Sequence, residues 1–205
     1  MNQIAKPRFS PGFSLAGLLL LFLAFALAAC SPKGAEPPLK GAAIGGPFTL
    51  TSHNGKRASD TNFRGKYLIV YFGFSHCPDV CPTDLLQIGQ ALRRFEKSDP
   101  GRAARIQPLF ITVDPERDTP AVLAPFVAAF HPRLIGLTGT PREIEAVAKE
   151  YAIFYAKQPS DGASGYVMNH SRVVYLLGPT GEPIALLPHE HGAEAIAAEL
   201  DRWVR

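Results

Sequence analysis

Apolar residues along this chain fall into three patterns, each predicting a different kind of element. Two unbroken runs, Tyr67 to Phe72 and Ile106 to Val113, are rich in β-branched and aromatic residues, and each precedes a helical pattern. Short continuous apolar runs of this kind mark parallel strands buried on both faces. The second pattern is a stripe at helical spacing: Leu85, Ile88, Leu92 and Phe95, then Leu123, Phe126, Val127 and Phe130, then Ile144, Val147, Ala148 and Tyr151, and finally Ile196, Leu200, Trp203 and Val204. Positions three and four apart share a helix face, so four amphipathic helices are expected. Thr119-Pro120 and Thr140-Pro141 mark two helix starts, a capping hydroxyl ahead of a proline at the first helical position, and Glu143 completes a capping box with Thr140. The third pattern is antiparallel. Phe48 to Leu50 and the residues after Asn54-Gly55 predict a hairpin through a type I′ turn. Arg172 to Leu177 and Ile184 to Leu187 flank the turn-rich segment Gly178 to Pro183 and predict another. Leu134 to Leu137 is a candidate for one more strand.

The order, βαβα with a helix between and then ββα, is that of an α/β thioredoxin-like fold: a mixed central sheet flanked by helices, here with an added N-terminal hairpin. The turn after the first parallel strand, Gly73 to Pro82, then opens at the carboxyl edge of the sheet, where open α/β folds place their chemistry. A chain of 205 residues holds one such domain with a terminal appendage. With 46% hydrophobic and 19% charged residues, neither disorder nor a many-span membrane protein fits. The net charge of +3 falls to +1 without Lys6 and Arg8 of the leader, so no electrostatic ground exists for binding nucleic acid.

Residues 1–30 read as a leader. Lys6 and Arg8 precede an uncharged run from Leu15 to Ala29 that ends Leu27-Ala28-Ala29-Cys30. The run has the length of a secretory apolar region and is shorter than the roughly 20 residues of a spanning helix. Its end resembles a bacterial lipobox, which implies cleavage before Cys30 and lipidation of that thiol. The alternative is an uncleaved single anchor. Both put the domain beside a membrane on its extracytoplasmic, periplasmic side. Residues 31–47, rich in Pro, Gly and Ala, are expected to form a flexible tether to a domain spanning 48–205.

Three cysteines, Cys30, Cys77 and Cys81, are too few for a disulfide-stapled scaffold. Cys77 and Cys81 stand four positions apart at an expected helix start, where spacing points both sulfurs one way and the helix amino end favours thiolate. A short-loop structural disulfide removes little chain entropy. Spacing of Cys-x3-Cys differs from the Cys-x-x-Cys of thioredoxin-type reductases, which makes a chelating pair more plausible. Two thiolates need a further ligand, and His170, just before the strand at Arg172, faces the cysteine turn in this fold. His76, next to Cys77, is expected to point away or to order the turn. His53 reads as surface loop, His131 as a helix end, and His189 and His191 as solvated. Met168 shares strand parity with His170 and offers either a nearby thioether or an ordinary core residue. Asp114 to Thr119 opens on the same edge as the cysteines and suits either part of a docking surface or a segment in which Asp114 and Asp118 only shape a turn and cap a helix.

Tyr71 to Asp84, Tyr-Phe-Gly-Phe-Ser-His-Cys-Pro-Asp-Val-Cys-Pro-Thr-Asp, resembles the signature of the Sco/SenC family of copper-binding assembly factors for cytochrome c oxidase. Asp114 to Pro120 resembles that family's second motif, and the segment around His170 its third. The resemblance implies that Cys77, Cys81 and His170 bind copper, as Cu(I) or Cu(II), for delivery to the binuclear copper site of the oxidase's subunit II. It implies as partners that subunit, a thiol reductant and other copper carriers. The family usually carries Asp before its histidine, where this chain has Asn169. The residues alone suit copper too: two soft thiolates and an imidazole fit three-coordinate Cu(I), whereas structural zinc asks for four closed ligands. The rival reading is a thiol-disulfide reductase or thiol peroxidase on the same fold, with Cys77 and Cys81 as a redox disulfide acting on the acceptor's cysteines or in redox sensing. A peroxidase site resembling Thr-x-x-Cys has Phe74 in the threonine's place here.

Overall fold

The computed structural model describes residues 36–160 and 165–205. Its elements run β1 (Thr49–Ser52), β2 (Arg57–Ser59), β3 (Tyr67–Gly73), α1 (Val80–Ser98), α2 (Pro100–Ala103), β4 (Ile106–Thr112), α3 (Pro120–Phe130), β5 (Ile135–Thr138), α4 (Pro141–Glu150), β6 (Tyr155–Pro159), β7 (Tyr166–His170), β8 (Val174–Leu177), β9 (Pro183–Leu186) and α5 (Ala193–Trp203). The two unbroken apolar runs are β3 and β4. They pair in parallel from Tyr67 opposite Ile106 to Gly73 opposite Thr112, and every residue of both is buried. Around them the sheet has the order β2-β1-β5-β4-β3-β8-β9. β5 continues the parallel set, while β8 and the N-terminal hairpin join antiparallel, giving the mixed sheet expected of a thioredoxin-like fold.

Alternation along the strands decides which helix covers which face. Tyr71 and Phe110 point to one side, where Phe110 packs on Phe126 of α3 and the Tyr71 hydroxyl meets Asp84 of α1. Phe72 points to the other, onto Tyr151 at the end of α4, with ring centroids 5.4 Å apart. The last helix, α5, lies along α1. The helical stripes are the buried faces, and both marked caps form: Thr119 accepts from Val122 N–H, and Thr140 and Glu143 make the full capping box. Helix α4 ends with Ile153 N–H bonded to Ala148 O at 2.8 Å, which puts Ala152 at φ +52, the left-handed position that helix ends usually give to glycine.

Four features differ from expectation. The β1–β2 turn is not type I′, which needs positive φ at both central residues. Only Gly55 is left-handed (φ +80), because Asn54 uses its side-chain oxygen to accept the Lys56 N–H at 3.0 Å. Residues 37–47 lie within the compact unit Pro37–Arg205 rather than forming a free tether. Leu39 N–H donates to Ile184 O at 3.0 Å and Gly45 N–H to Glu150 O at 2.9 Å, so the domain starts at 37 rather than 48. Strands β6 and β7 form a separate two-stranded antiparallel ribbon that the apolar pattern did not reveal. Lastly, helix α1 begins at Val80 and so leaves Cys77 outside it. Among the described residues no helix is long and apolar enough to cross a membrane. The leader, with Cys30, lies outside the described residues.

Candidate metal centre

Strand β3 delivers the chain to the carboxyl edge of the sheet, and a buried carboxylate then fixes the loop. Asp118, fully buried, accepts from Ser75 N–H (3.0 Å), Ser75 Oγ (2.5 Å) and Thr112 Oγ1 (2.6 Å). His76 points to solvent, with Nδ1 3.0 Å from Ser75 Oγ. Asp79, the residue before α1, has φ −142 and ψ −74 and makes no side-chain cap. The sulfur of Cys77 takes that place, accepting the Cys81 N–H at 3.4 Å. The two thiols are therefore not neighbours on one helical face: one caps the helix from outside and the other is its second residue.

This arrangement separates the thiols electronically. The Cys81 thiol, hydrogen-bonded to Cys77, lowers the latter to about 5; partial burial works against this, and the N–H groups of Cys81, Asp79 and Val80 assist. Donation to Cys77 and burial push Cys81 up. Cys77 is half-buried and Cys81 fully buried, and neither is in a disulfide. Space for the Cys81 sulfur comes from Gly73, where a β-carbon would stand 3.1 Å from that sulfur and 3.0 Å from the rings of Tyr71 and Phe110.

His170 ends β7. Its Nε2 lies 3.4 Å from Cys81 Sγ, a contact across 89 positions of sequence. Nδ1 is 3.0 Å from Ser171 O, and since a carbonyl can only accept, the neutral ring keeps its proton there and turns the Nε2 lone pair to the sulfur. The rings of Phe74 and Tyr71 stand edge-on to the imidazole, at 90° and 79°. Metal bonds of about 2.3 Å to sulfur and about 2.0 Å to imidazole, as in zinc sites, let one ion touch two atoms this far apart. Among the described residues no set of three or more His, Cys, Asp or Glu side chains stands as a finished metal cage.

The second motif turns out to be internal bracing. Asp114 and Asp118 are both buried, so within the segment Asp114 to Thr119 these two side chains shape the turn and only others, such as Glu116, face solvent. Asp114 pairs with Arg117 and accepts from the Tyr166 hydroxyl at 2.9 Å. Arg117 donates to Tyr166 O at 3.1 Å and lies over that ring at 3.8 Å. One motif thus holds the cysteine loop through Asp118 and the histidine ribbon through Asp114.

Sequence reasoning missed Asp84, Arg172 and Tyr71 as individual actors. Asp84, 1% exposed and one turn beyond Cys81, accepts from Tyr71 Oη (2.9 Å), Arg172 Nε (2.7 Å) and Arg172 Nη2 (2.5 Å). Its spacing from Cys81 was visible, but its partner, 88 positions away, was not. The remaining candidates sort simply. His189 is buried rather than solvated, since its short helical turn packs on α1 and brings Nε2 to 3.7 Å from Asp84. His191 is exposed, and His131, at the end of α3, is buried, which lowers its pKa. His53 joins the first hairpin to β5 by accepting the Gly136 N–H at 3.1 Å. Met168 sits in the core and Asn169 faces solvent.

A model of the SCO1/SenC family matches residues 36–205. The chain belongs to the SCO1/SenC family. The mitochondrial SCO2 homolog of Bos taurus is 46% identical over 144 residues, covering 70% of this chain and 53% of that protein. The chain spans about half the length of the curated relatives it matches. Bradyrhizobium japonicum ScoI, solved with copper bound, is 40% identical with a TM-score of 0.70, over 78% of this chain and 99% of that one. A thioredoxin domain of a Bacteroides vulgatus thiol-disulfide oxidoreductase, 14% identical with a TM-score of 0.54 over 81% of this chain and 98% of that one, shares the fold alone.

Proposed function

We propose that this SCO1/SenC protein is a copper carrier for the assembly of cytochrome c oxidase, taking copper on Cys77, Cys81 and His170 and passing it to the binuclear copper site of subunit II. The observation that carries the reading is the 3.4 Å approach of His170 Nε2 to Cys81 Sγ, from a segment remote in sequence. Two thiols of unequal acidity and one imidazole suit a soft ion held loosely enough to be handed on. The acidity of Cys77 lets it bind or exchange as thiolate near neutral pH. Copper comes from other copper carriers and leaves by ligand exchange with the docked acceptor. Oxidation of the two thiols to a disulfide withdraws both sulfur ligands, so the carrier needs a thiol reductant on its side of the membrane. That side is the periplasmic one, with the domain anchored through a lipidated Cys30.

Anaerobic copper titration of the reduced chain tests this. One equivalent of Cu(I) is expected, with affinity at least tenfold lower in His170→Ala; equal affinity in that variant rules out the three-ligand site. The thiol-disulfide reductase reading draws support from one feature, an accessible acidic Cys77 backed by a buried Cys81. Insulin reduction that survives in His170→Ala and needs no copper favours it.

A further inference from the structure

His170 stands on a ribbon outside the central sheet, anchored by Met168 in the core and by Tyr166 on Asp114, and the ribbon's end next to His170 is tied to α1 by a further side-chain pair. We propose that the Asp84–Arg172 pair is the clamp that positions His170 for the metal; this rests on the copper-carrier reading above. Asp84 is on the same helix as Cys81, three residues on, and Arg172 is two residues beyond His170. The guanidinium meets the carboxylate through two nitrogens, Nε at 2.7 Å and Nη2 at 2.5 Å, a planar fork that fixes direction as well as distance. The same carboxylate accepts from Tyr71 Oη, and the Tyr71 ring stands edge-on to the imidazole with centroids 6.4 Å apart. One buried acid therefore sets both the chain that carries the ligand and a wall of the pocket that holds it. Arg172 also reaches Glu190 at 3.7 Å, but that acid is mostly exposed, so Asp84 dominates. The Arg172 guanidinium bonds to Asp84 and reaches Glu190, and Arg172 acts through His170 as a positioning residue.

The test uses the full chain, reduced and in detergent, with Arg172→Met, Arg172→Lys and the double variant Asp84→Asn/Arg172→Met. The double variant removes both charges, so a lone buried carboxylate does not unfold the chain. Without copper, the ring-current shift that Phe74 and Tyr71 impose on the His170 protons is expected to collapse in Arg172→Met and in the double variant, and to recover in part in Arg172→Lys. With copper, Arg172→Met lowers Cu(I) affinity about tenfold, the scale typical of residues that orient a metal ligand. In a His170→Ala background the same change alters affinity less than twofold, because the clamp has nothing left to position. A ring-current shift unchanged in both clamp variants overturns the proposal, and so does a full tenfold loss persisting without the imidazole. Failure of the unmodified chain to bind copper instead overturns the copper-carrier reading, while the copper-free measurement still decides whether the clamp holds the ring.

Discussion

The cysteine loop hangs between a fully buried strand and a 19-residue helix, whereas His170 stands on a two-stranded ribbon whose outer strand, β6, is mostly exposed. The loop inherits its position from the core: β3 is paired on both sides, Cys81 is fully buried, and Asp118 satisfies the backbone and side chain of Ser75 at once. The ribbon has less: Met168 reaches the core and Tyr155 and Tyr166 pack against it, but most of the rest of β6 is exposed. Two strands alone are marginal in water, so its place depends also on polar ties, Asp114 and Arg117 to Tyr166 at one end and Asp84 to Arg172 at the other. The cysteine loop is thus held by the core and a buried carboxylate, and His170 by a smaller apolar contact and a few hydrogen bonds, so the histidine side is the one more able to move.

Breaking the firm side costs most. Asp118→Ala leaves three donors, one fully buried and two part-buried, without their acceptor and is expected to lower stability by about 3 kcal/mol in urea unfolding. A loss under about 1 kcal/mol means that the loop is not held by this carboxylate. The contrast within the thiol pair is next. Alkylation at pH 7 is expected to modify Cys77 roughly 100-fold faster than buried Cys81, with an inflection near pH 5 rather than at the free-thiol value of about 8.5. The folded-state pKa of Cys77 is depressed, so the stability its thiolate lends is fully present above the unfolded value and is lost as pH falls through about 5. On the ribbon the effect is smaller and local. Tyr166→Phe removes the bond to Asp114 and should speed hydrogen exchange in β6 and β7 about fivefold, the equivalent of about 1 kcal/mol, while β3 and β4 keep their protection. Equal acceleration in both regions erases the distinction. Smallest is Ala152→Gly near the entry to the ribbon, which relieves a left-handed alanine and raises thermal stability by about 0.5 kcal/mol, the looser unfolded chain offsetting part of the gain.

The same contrast explains what could be read from the residues alone. Leu85, Ile88, Leu92 and Phe95 announced α1, and the runs of β3 and β4 announced the sheet, because burial imposes a period on neighbouring positions. Tyr155 to Pro159 carry Lys157 and Gln158 outward and have no apolar period, so β6 left no trace. The choice of His170 needed the fold order and the family resemblance, and the structure brings its ring to Cys81. What holds that ring, Asp84 with Arg172 and Asp114 with Tyr166, pairs residues 88 and 52 positions apart, and such pairing has no periodic signature. The start of α1 at Val80 has no usual cap signature, because the sulfur of Cys77 rather than the side chain of Asp79 accepts its free N–H.

The missing β-carbon at Gly73 has a consequence for how this protein can evolve. The sulfur of Cys81 fills the volume that any other residue at 73 would claim, with two aromatic rings closing the remaining directions. Even a methyl group there asks the thiol and both rings to give by a few tenths of an ångström, so the floor of the sheet and the sulfur above it can change only together.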